Sequence, residues 1–134
     1  MERTLRSLVL IRAKHLAESV TTPTFLADEQ GNLIFYNESA AALLGKSFSD
    51  AGAMPASEWQ KIFDVRSRDG SPLPLDGMPG WVALQEHRPS MGHLRFTALD
   101  GEERFIAVCA IPLFTQPEQF EGALIIFWQD EGNE

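Results

Sequence analysis

The chain has 134 residues, 44% hydrophobic and 22% charged, which suits one domain with one core. A net charge of −8 disfavours binding to a phosphate backbone, and no apolar run reaches the ~18 residues of a membrane-spanning helix. The single cysteine, Cys109, excludes an internal disulfide framework, and Arg12 and Lys14 interrupt any signal-peptide pattern, so a cytoplasmic location is expected.

Residues 3–20 read as an amphipathic helix. Leu5, Val9, Leu16 and Val20 recur along one stripe, with Leu8 and Ala13 filling it, and Pro23 stops the helix. Its four basic residues, Arg3, Arg6, Arg12 and Lys14, outnumber Glu2 and Glu18. Four cations on one helix in an acidic chain read as a solvated face, so no nucleic-acid partner is expected.

Phe25–Ala27 and Leu33–Tyr36 flank a turn containing Asp28 and Gly31, which predicts a hairpin. Asn37 follows directly, ahead of the helix-favouring ESAAALLG. It is placed to cap that helix at its N-terminus, and Gly45 to close it. Residues 46–80 are irregular, with a short helix expected in ASEWQKIF and a Pro- and Gly-rich loop after it. GWVALQEHRP gives about two helical turns, ended by Arg88-Pro89.

The last third is strand-like. SMGHLRFTALDG alternates, with Leu94 and Phe96 on one face and His93 and Arg95 on the other; Asp100-Gly101 marks a tight turn. RFIAVCAIPLF, a loop TQPEQFEG and ALIIFWQD complete three consecutive antiparallel strands. The last two are apolar on both faces, whereas a one-sided antiparallel sheet alternates. A second cover is therefore required, and the N-terminal helix is the spare apolar element.

This order of elements and these residues resemble the PAS domain family of sensory modules. DEQGNLIFYNESAAALLG is similar to the family's N-terminal signature, GSPLPLDGMPGWVALQEHRP to its proline-led connector helix, and LDGEERFIAVCAIPLF with FEGALIIFWQD to its C-terminal meander. The resemblance implies an α+β PAS fold: a five-stranded antiparallel sheet, helices on one face enclosing a small cavity, and an N-terminal amphipathic cap helix. It divides the chain into a cap or dimerisation helix at 1–20, the PAS domain at 21–130 and an acidic tail at 131–134. It also implies a sensor that pairs as a homodimer and signals to a partner protein. QDEGNE stands where such domains commonly carry an Asp-Ile-Thr linker, so that signalling is expected to act in trans, or the chain to be part of a longer protein.

In that alignment Trp81, Leu84, Leu94, Phe96, Ile106, Val108, Leu124, Ile126 and Trp128 face the cavity, with Arg88 or Arg95 at its rim to meet a carboxylate. Leu5, Leu8, Val9, Leu16, Cys109, Ile125 and Phe127 form the opposite, dimerising surface. So apolar a wall suits a hydrophobic small molecule such as a fatty acid, and makes a stand-alone lipid-binding protein the alternative function; simple side-chain packing with no vacancy fits the same residues. Haem and flavin are disfavoured. His87 ends the connector helix, His93 lies on the polar strand face, His15 is on the N-terminal helix, and the Asn-Cys-Arg motif of flavin photoreceptors is missing. No pair of Cys or His has finger-like spacing, so no metal site is expected, and no catalytic motif points to an enzyme.

Overall fold

The computed structural model describes residues 2–55, 58, 61–74, 77–116 and 119–129, and of residues 2–7 and 51 the backbone only. The acidic tail and half of the helix expected at ASEWQKIF lie outside the described residues. The chain opens with helix α1 (Glu2–Ser19) and then makes the hairpin β1 (Thr24–Asp28) and β2 (Asn32–Tyr36). The Asp28 carboxylate shapes the turn by accepting from the Gln30 and Asn32 backbone amides, both at 2.9 Å.

Helix α2 (Glu38–Leu44) starts where the sequence places it. Asn37 is extended, its side chain accepts from the Ala40 amide, and Gly45 closes the helix at φ 91° with its N–H on Ala41 O. A further short helix, α3 (Phe48–Ala51), is capped by Ser47. Two-residue strands β3 (Met54–Pro55) and β4 (Arg66–Ser67) precede helix α4 (Pro79–Glu86), and β5 (Ser90–Thr97), β6 (Glu103–Gln116) and β7 (Gln119–Gln129) complete the chain.

The strands form one antiparallel sheet in the order β3-β2-β1-β7-β6-β5-β4. Seven strands replace the expected five, because β3 and β4 add a two-residue ladder at each edge. The loop expected at TQPEQFEG is mostly strand. Phe114 pairs with Phe120, Gln116 with Gln119, and Thr115 Oγ1 donates to Glu121 Oε2 at 2.7 Å, which zips the hairpin past the apolar segments. The Glu121 side chain is fully buried.

The sheet has two apolar faces and two cores. Phe25, Leu33, Tyr36, Leu94, Phe96, Ile106, Val108, Ile125 and Phe127 pack with α2 and α4 residues on the inner face. On the outer face Leu26, Ile34, Phe35, Leu113, Leu124 and Ile126 pack against Leu10 and Ala13 of α1. The N-terminal helix is thus the cover that the two-faced strands require. It uses the expected stripe only in part, through Ala13 and the half-buried Val9. Small Ala13 and Ala17 are the residues buried against the sheet, Lys14 Nζ lies 5.2 Å from the Phe35 ring, and Leu8, Ile11, Leu16 and Val20 stay exposed. Alanines allow the helix axis to come close to a sheet already bulky with Leu and Phe, which leaves the larger residues for the far side. The side chain of Leu5 lies outside the described residues.

Candidate functional site: an apolar cavity under helix α4

Between the inner face of the sheet and α4 lies a cavity of about 60 Å³. Its floor is built by pairing. Antiparallel partners share a face, and Val108 sits opposite Phe127 while Ala110 sits opposite Ile125. Phe25 joins the same face through its pairing with Ile125. Leu94, Phe96 and Ile106 extend the floor from β5 and β6, Phe63 and Val65 close one side, and Leu44 reaches in from α2. The roof is α4 with Met78 and Pro79 at its start and Trp81 and Leu84 along it.

Glycines set how low that roof sits. A Cβ on Gly92 of β5 would meet Pro79 Cγ at 2.9 Å, and one on Gly80 would meet Ile125 Cδ1 at 3.1 Å. In the β1–β2 turn, the Cβ position of Gly31 lies 3.4 Å from both Leu84 Cδ1 and Trp81 Cζ3. Pro79 at the first helical turn needs no backbone donor there, so it can point its ring into Gly92. All lining residues are buried except Gly80 and Trp81, which are half-buried, so the mouth is the first turn of α4.

The structure brings Trp81, Leu84, Leu94, Phe96, Ile106 and Val108 to the cavity. It places the other expected members elsewhere. Leu124 and Ile126 point to the outer face beneath α1, and Trp128 is 42% exposed on that side. Ile125 and Phe127, expected on the dimer surface, line the cavity instead. The expected parity is one residue out on β7. The two irregularities of the β6–β7 hairpin, around Phe114, cancel, so an even-numbered residue of β6 meets an odd-numbered one of β7 both at the turn (Gln116 with Gln119) and along the strands (Val108 with Phe127), and the inward Ile106, Val108 and Ala110 bring Ile125 and Phe127 to their face. A strand apolar on both sides carries no periodicity from which to detect this.

Neither arginine stands at the rim. Arg95 alternates with Leu94 and Phe96 onto the outer face, where it pairs with Glu103 at 3.3 Å and lies 5.6 Å from the Phe105 ring centroid. Arg88 is exposed beyond the C-terminus of α4 and paired with Glu86 at 2.6 Å. Cys109 is half-buried and belongs to the outer face with its partners Met91 and Ile126. Leu8 and Leu16 are exposed on α1, and Val9 is half-buried.

The residues present do not fit haem or flavin. Among the described residues no histidine, cysteine or charged group lines the cavity. His87 ends α4 in the left-handed conformation with its ring stacked 4.2 Å from Phe120, outside the cavity, and His93 is exposed. A cavity of about 60 Å³ is also far below the ~300 Å³ at which pockets for drug-sized ligands begin, which excludes a folded acyl chain from the space as built. Among the described residues no group of three or more His, Cys, Asp or Glu could hold a metal ion, and no helix is long and apolar enough to cross a membrane.

Sequence reasoning missed Phe25, Ala27, Leu33, Leu44, Phe63, Val65 and Met78 as cavity residues. Phe25 and Ala27, like Phe63 and Val65, are spaced by two, the one signal that placed them on a common face. It also missed the full use of Asn37. Besides accepting from Ala40 N at 3.0 Å and Thr24 N at 3.1 Å, its Nδ2 donates to the carbonyls of Ala17 and Thr22, each at 2.9 Å. One buried carboxamide therefore joins the end of α1, the start of β1 and the start of α2.

Comparison with known proteins gives the fold. No protein-family model matches the chain, and no curated protein matches it. Among solved structures it is similar to the PAS domain of a protein from Colwellia psychrerythraea, at 21% identity and TM-score 0.59, over 91% of this chain and 97% of that one. It is also similar to the PAS domain of BvgS from Bordetella pertussis, at 16% identity and TM-score 0.61, over 90% and 84%. The PAS domain of nitrogen regulation protein NR(II) from Vibrio parahaemolyticus aligns at 15% identity and TM-score 0.59, over 87% and 95%. The chain has the PAS fold, a curled antiparallel sheet with α2 and α4 over its inner face, to which α1 adds a cover on the outer one.

Proposed function

We propose that this protein is a cytoplasmic, non-enzymatic sensory module of PAS fold that forms a homodimer through α1 and regulates a partner protein, with the apolar cavity as its input site. The observation that carries this reading is the two-sided use of the sheet. The cavity occupies the inner face and α1 the outer one, and Asn37 is bonded both to α1 and to α2, the helix that carries Leu44 of the cavity. The same helix presents Leu8, Ile11 and Leu16 to solvent at 44%, 48% and 54% exposure, and Met91 and Trp128 are exposed as well. Apolar side chains exposed in that number on a small domain favour a protein partner over solvent.

A carrier of free fatty acids is not supported, because the cavity is small and no cation stands at its mouth among the described residues. The test of the module is its oligomeric state. The intact chain is expected to scatter light as a dimer, and the double variant Leu8→Arg, Ile11→Arg as a folded monomer. A monomeric wild-type protein, or a variant that remains dimeric, overturns assembly through α1.

A further inference from the structure

The cavity has a size and a chemistry, and both restrict what enters. Its volume of about 60 Å³ is less than half of the ~150 Å³ of a dry apolar cavity known to accept benzene. The described lining side chains are uncharged and, apart from the Trp81 indole N–H, apolar, so a charged or strongly hydrogen-bonding guest would leave polar atoms unpaired on entry. Water gains nothing there either, since it needs two or more polar partners to stay.

Resting on the reading of the cavity as an input site, we propose that its ligand is an uncharged, apolar molecule of only a few heavy atoms, and that Gly80 and Gly92 are the residues that set this limit. The size is a consequence of how closely α4 approaches the sheet. Pro79 occupies the space where a side chain on Gly92 would stand, and Ile125 fills the space beside Gly80. A methyl group at position 92 would stand 2.9 Å from Pro79 Cγ, closer than carbon atoms pack. Pro79 is a rigid ring at the start of the helix, so the helix itself must move outward. That movement raises the roof directly over the mouth formed by Gly80 and Trp81. At Gly80 the obstacle is the far end of a flexible Ile125 side chain, so the same methyl there is expected to displace less.

The experiment follows methyl resonances of the intact protein as three probes are titrated: xenon, benzene and decanoate. Xenon is expected to shift the methyls of Leu84, Ile106 and Ile125 saturably in wild type, with benzene and decanoate without effect on them. In Gly92→Ala, benzene is expected to shift the same methyls. Absence of saturable xenon shifts in wild type overturns the site, and benzene or decanoate binding to wild type overturns the size limit. If Gly92→Ala fails to fold, Gly80→Ala supplies the second test; failure of the folded variant to admit benzene overturns the role of the glycines. The readout is local to the cavity, so failure here leaves dimerisation through α1 to be judged separately by light scattering.

Discussion

The side-chain amide of Asn37 donates to the Ala17 carbonyl across 2.9 Å, and through its oxygen the same side chain accepts from Ala40 N at 3.0 Å. Ala17 lies in the last turn of α1, and Ala40 in the first turn of α2. A helix end leaves carbonyls unpaired at its C-terminus and amides unpaired at its N-terminus. Asn37 meets one of each, because a carboxamide carries both a donor and an acceptor. It is 4% exposed, so neither bond is exchanged with water in the folded chain. The cavity wall and the outer helix are therefore not independent. A shift of α2 that moves Leu44 at the cavity also moves the group holding the end of α1.

Two substitutions separate the halves of this junction. Asn37→Ala removes both, leaving the buried Thr24 amide without its partner as well, and is expected to cost about 2–4 kcal/mol from lost capping and an unsatisfied donor. Asn37→Asp keeps the acceptor for Ala40 and Thr24 but turns a second oxygen toward the carbonyls of Ala17, Val20 and Thr22. It is expected to preserve α2 and release α1. Hydrogen exchange measures this directly: amides of α1 should exchange faster in Asn37→Asp while those of α2 keep their protection. Equal protection of α1 in both proteins would contradict the junction.

That double role marks where the sequence stops being legible. The N-cap is visible because Asn37 precedes ESAAALLG directly, a relation within four residues. The bond to Ala17 spans twenty residues and depends on where α1 docks, which no local pattern encodes. The same contrast runs through the rest of the chain. Alternation in SMGHLRFT gives the face of Leu94 and Phe96 correctly because polar residues stand between them. ALIIFW has no such punctuation, so its parity follows from hairpin register and reads wrongly from sequence. The stripe on α1 misleads for a related reason. Hydrophobicity points to the leucines, whereas close helix–sheet approach selects Ala13 and Ala17 and leaves Leu8 and Leu16 outside.

Tyr36 links the fold to pH. Its side chain is buried and its hydroxyl donates to Lys46 O at 2.6 Å. Burial raises its pKa above the ordinary value near 10, and the negative charge of Asp50 adds to the effect. A phenol with a folded pKa above its unfolded one contributes stability that is complete below pH 10 and is lost as pH rises through the folded value. Wild type is expected to lose stability along that alkaline limb. Tyr36→Phe should cost about 1 kcal/mol at neutral pH through the lost hydrogen bond, and should flatten the limb. Urea denaturation at neutral pH and above pH 10 checks both, and an unchanged alkaline slope in Tyr36→Phe would assign the loss to other groups.

The two arginines once attractive as rim groups have little to do with the cavity. Arg88 pairs with Glu86 while more than half exposed, and such surface pairs contribute about 0–1 kcal/mol. Arg88→Ala is expected to change stability by less than about 0.5 kcal/mol and to leave xenon binding unaltered. Arg104 differs, although it too pairs with carboxylates. Its Nε donates to Leu43 O at 3.0 Å and fixes the C-terminal end of α2 to β6, and its side chain is only 18% exposed. Arg104→Ala is expected to cost about 1–2 kcal/mol, because it strips a helix-end carbonyl of a charged donor. Thermal denaturation of the two variants side by side distinguishes them, and equal midpoints would show that the Leu43 contact contributes nothing.

Gly122 offers the sharpest single-residue test of the sheet. It has φ 150° and stands where β7 lies between β1 and β6, paired with Asp28 on one side and Leu113 on the other. A Cβ built there would collide with the carbonyl oxygen of Ala27, which is backbone and cannot turn aside as a side chain would. The clash adds to the conformational penalty of placing any L-residue at that φ, which alone is about 1 kcal/mol or more. Gly101, at φ 88° in the β5–β6 turn, shares the penalty but has nothing within 4 Å of its Cβ position. Alanine at both positions therefore separates backbone conformation from close approach. Gly101→Ala is expected to cost about 1 kcal/mol and to fold normally. Gly122→Ala is expected to cost several times more, on the order of 3 kcal/mol or above, since β1 must part from β7 to admit the methyl. Chemical denaturation of the pair reads the difference, and similar midpoints would mean that β1 and β7 have room to spare at Ala27.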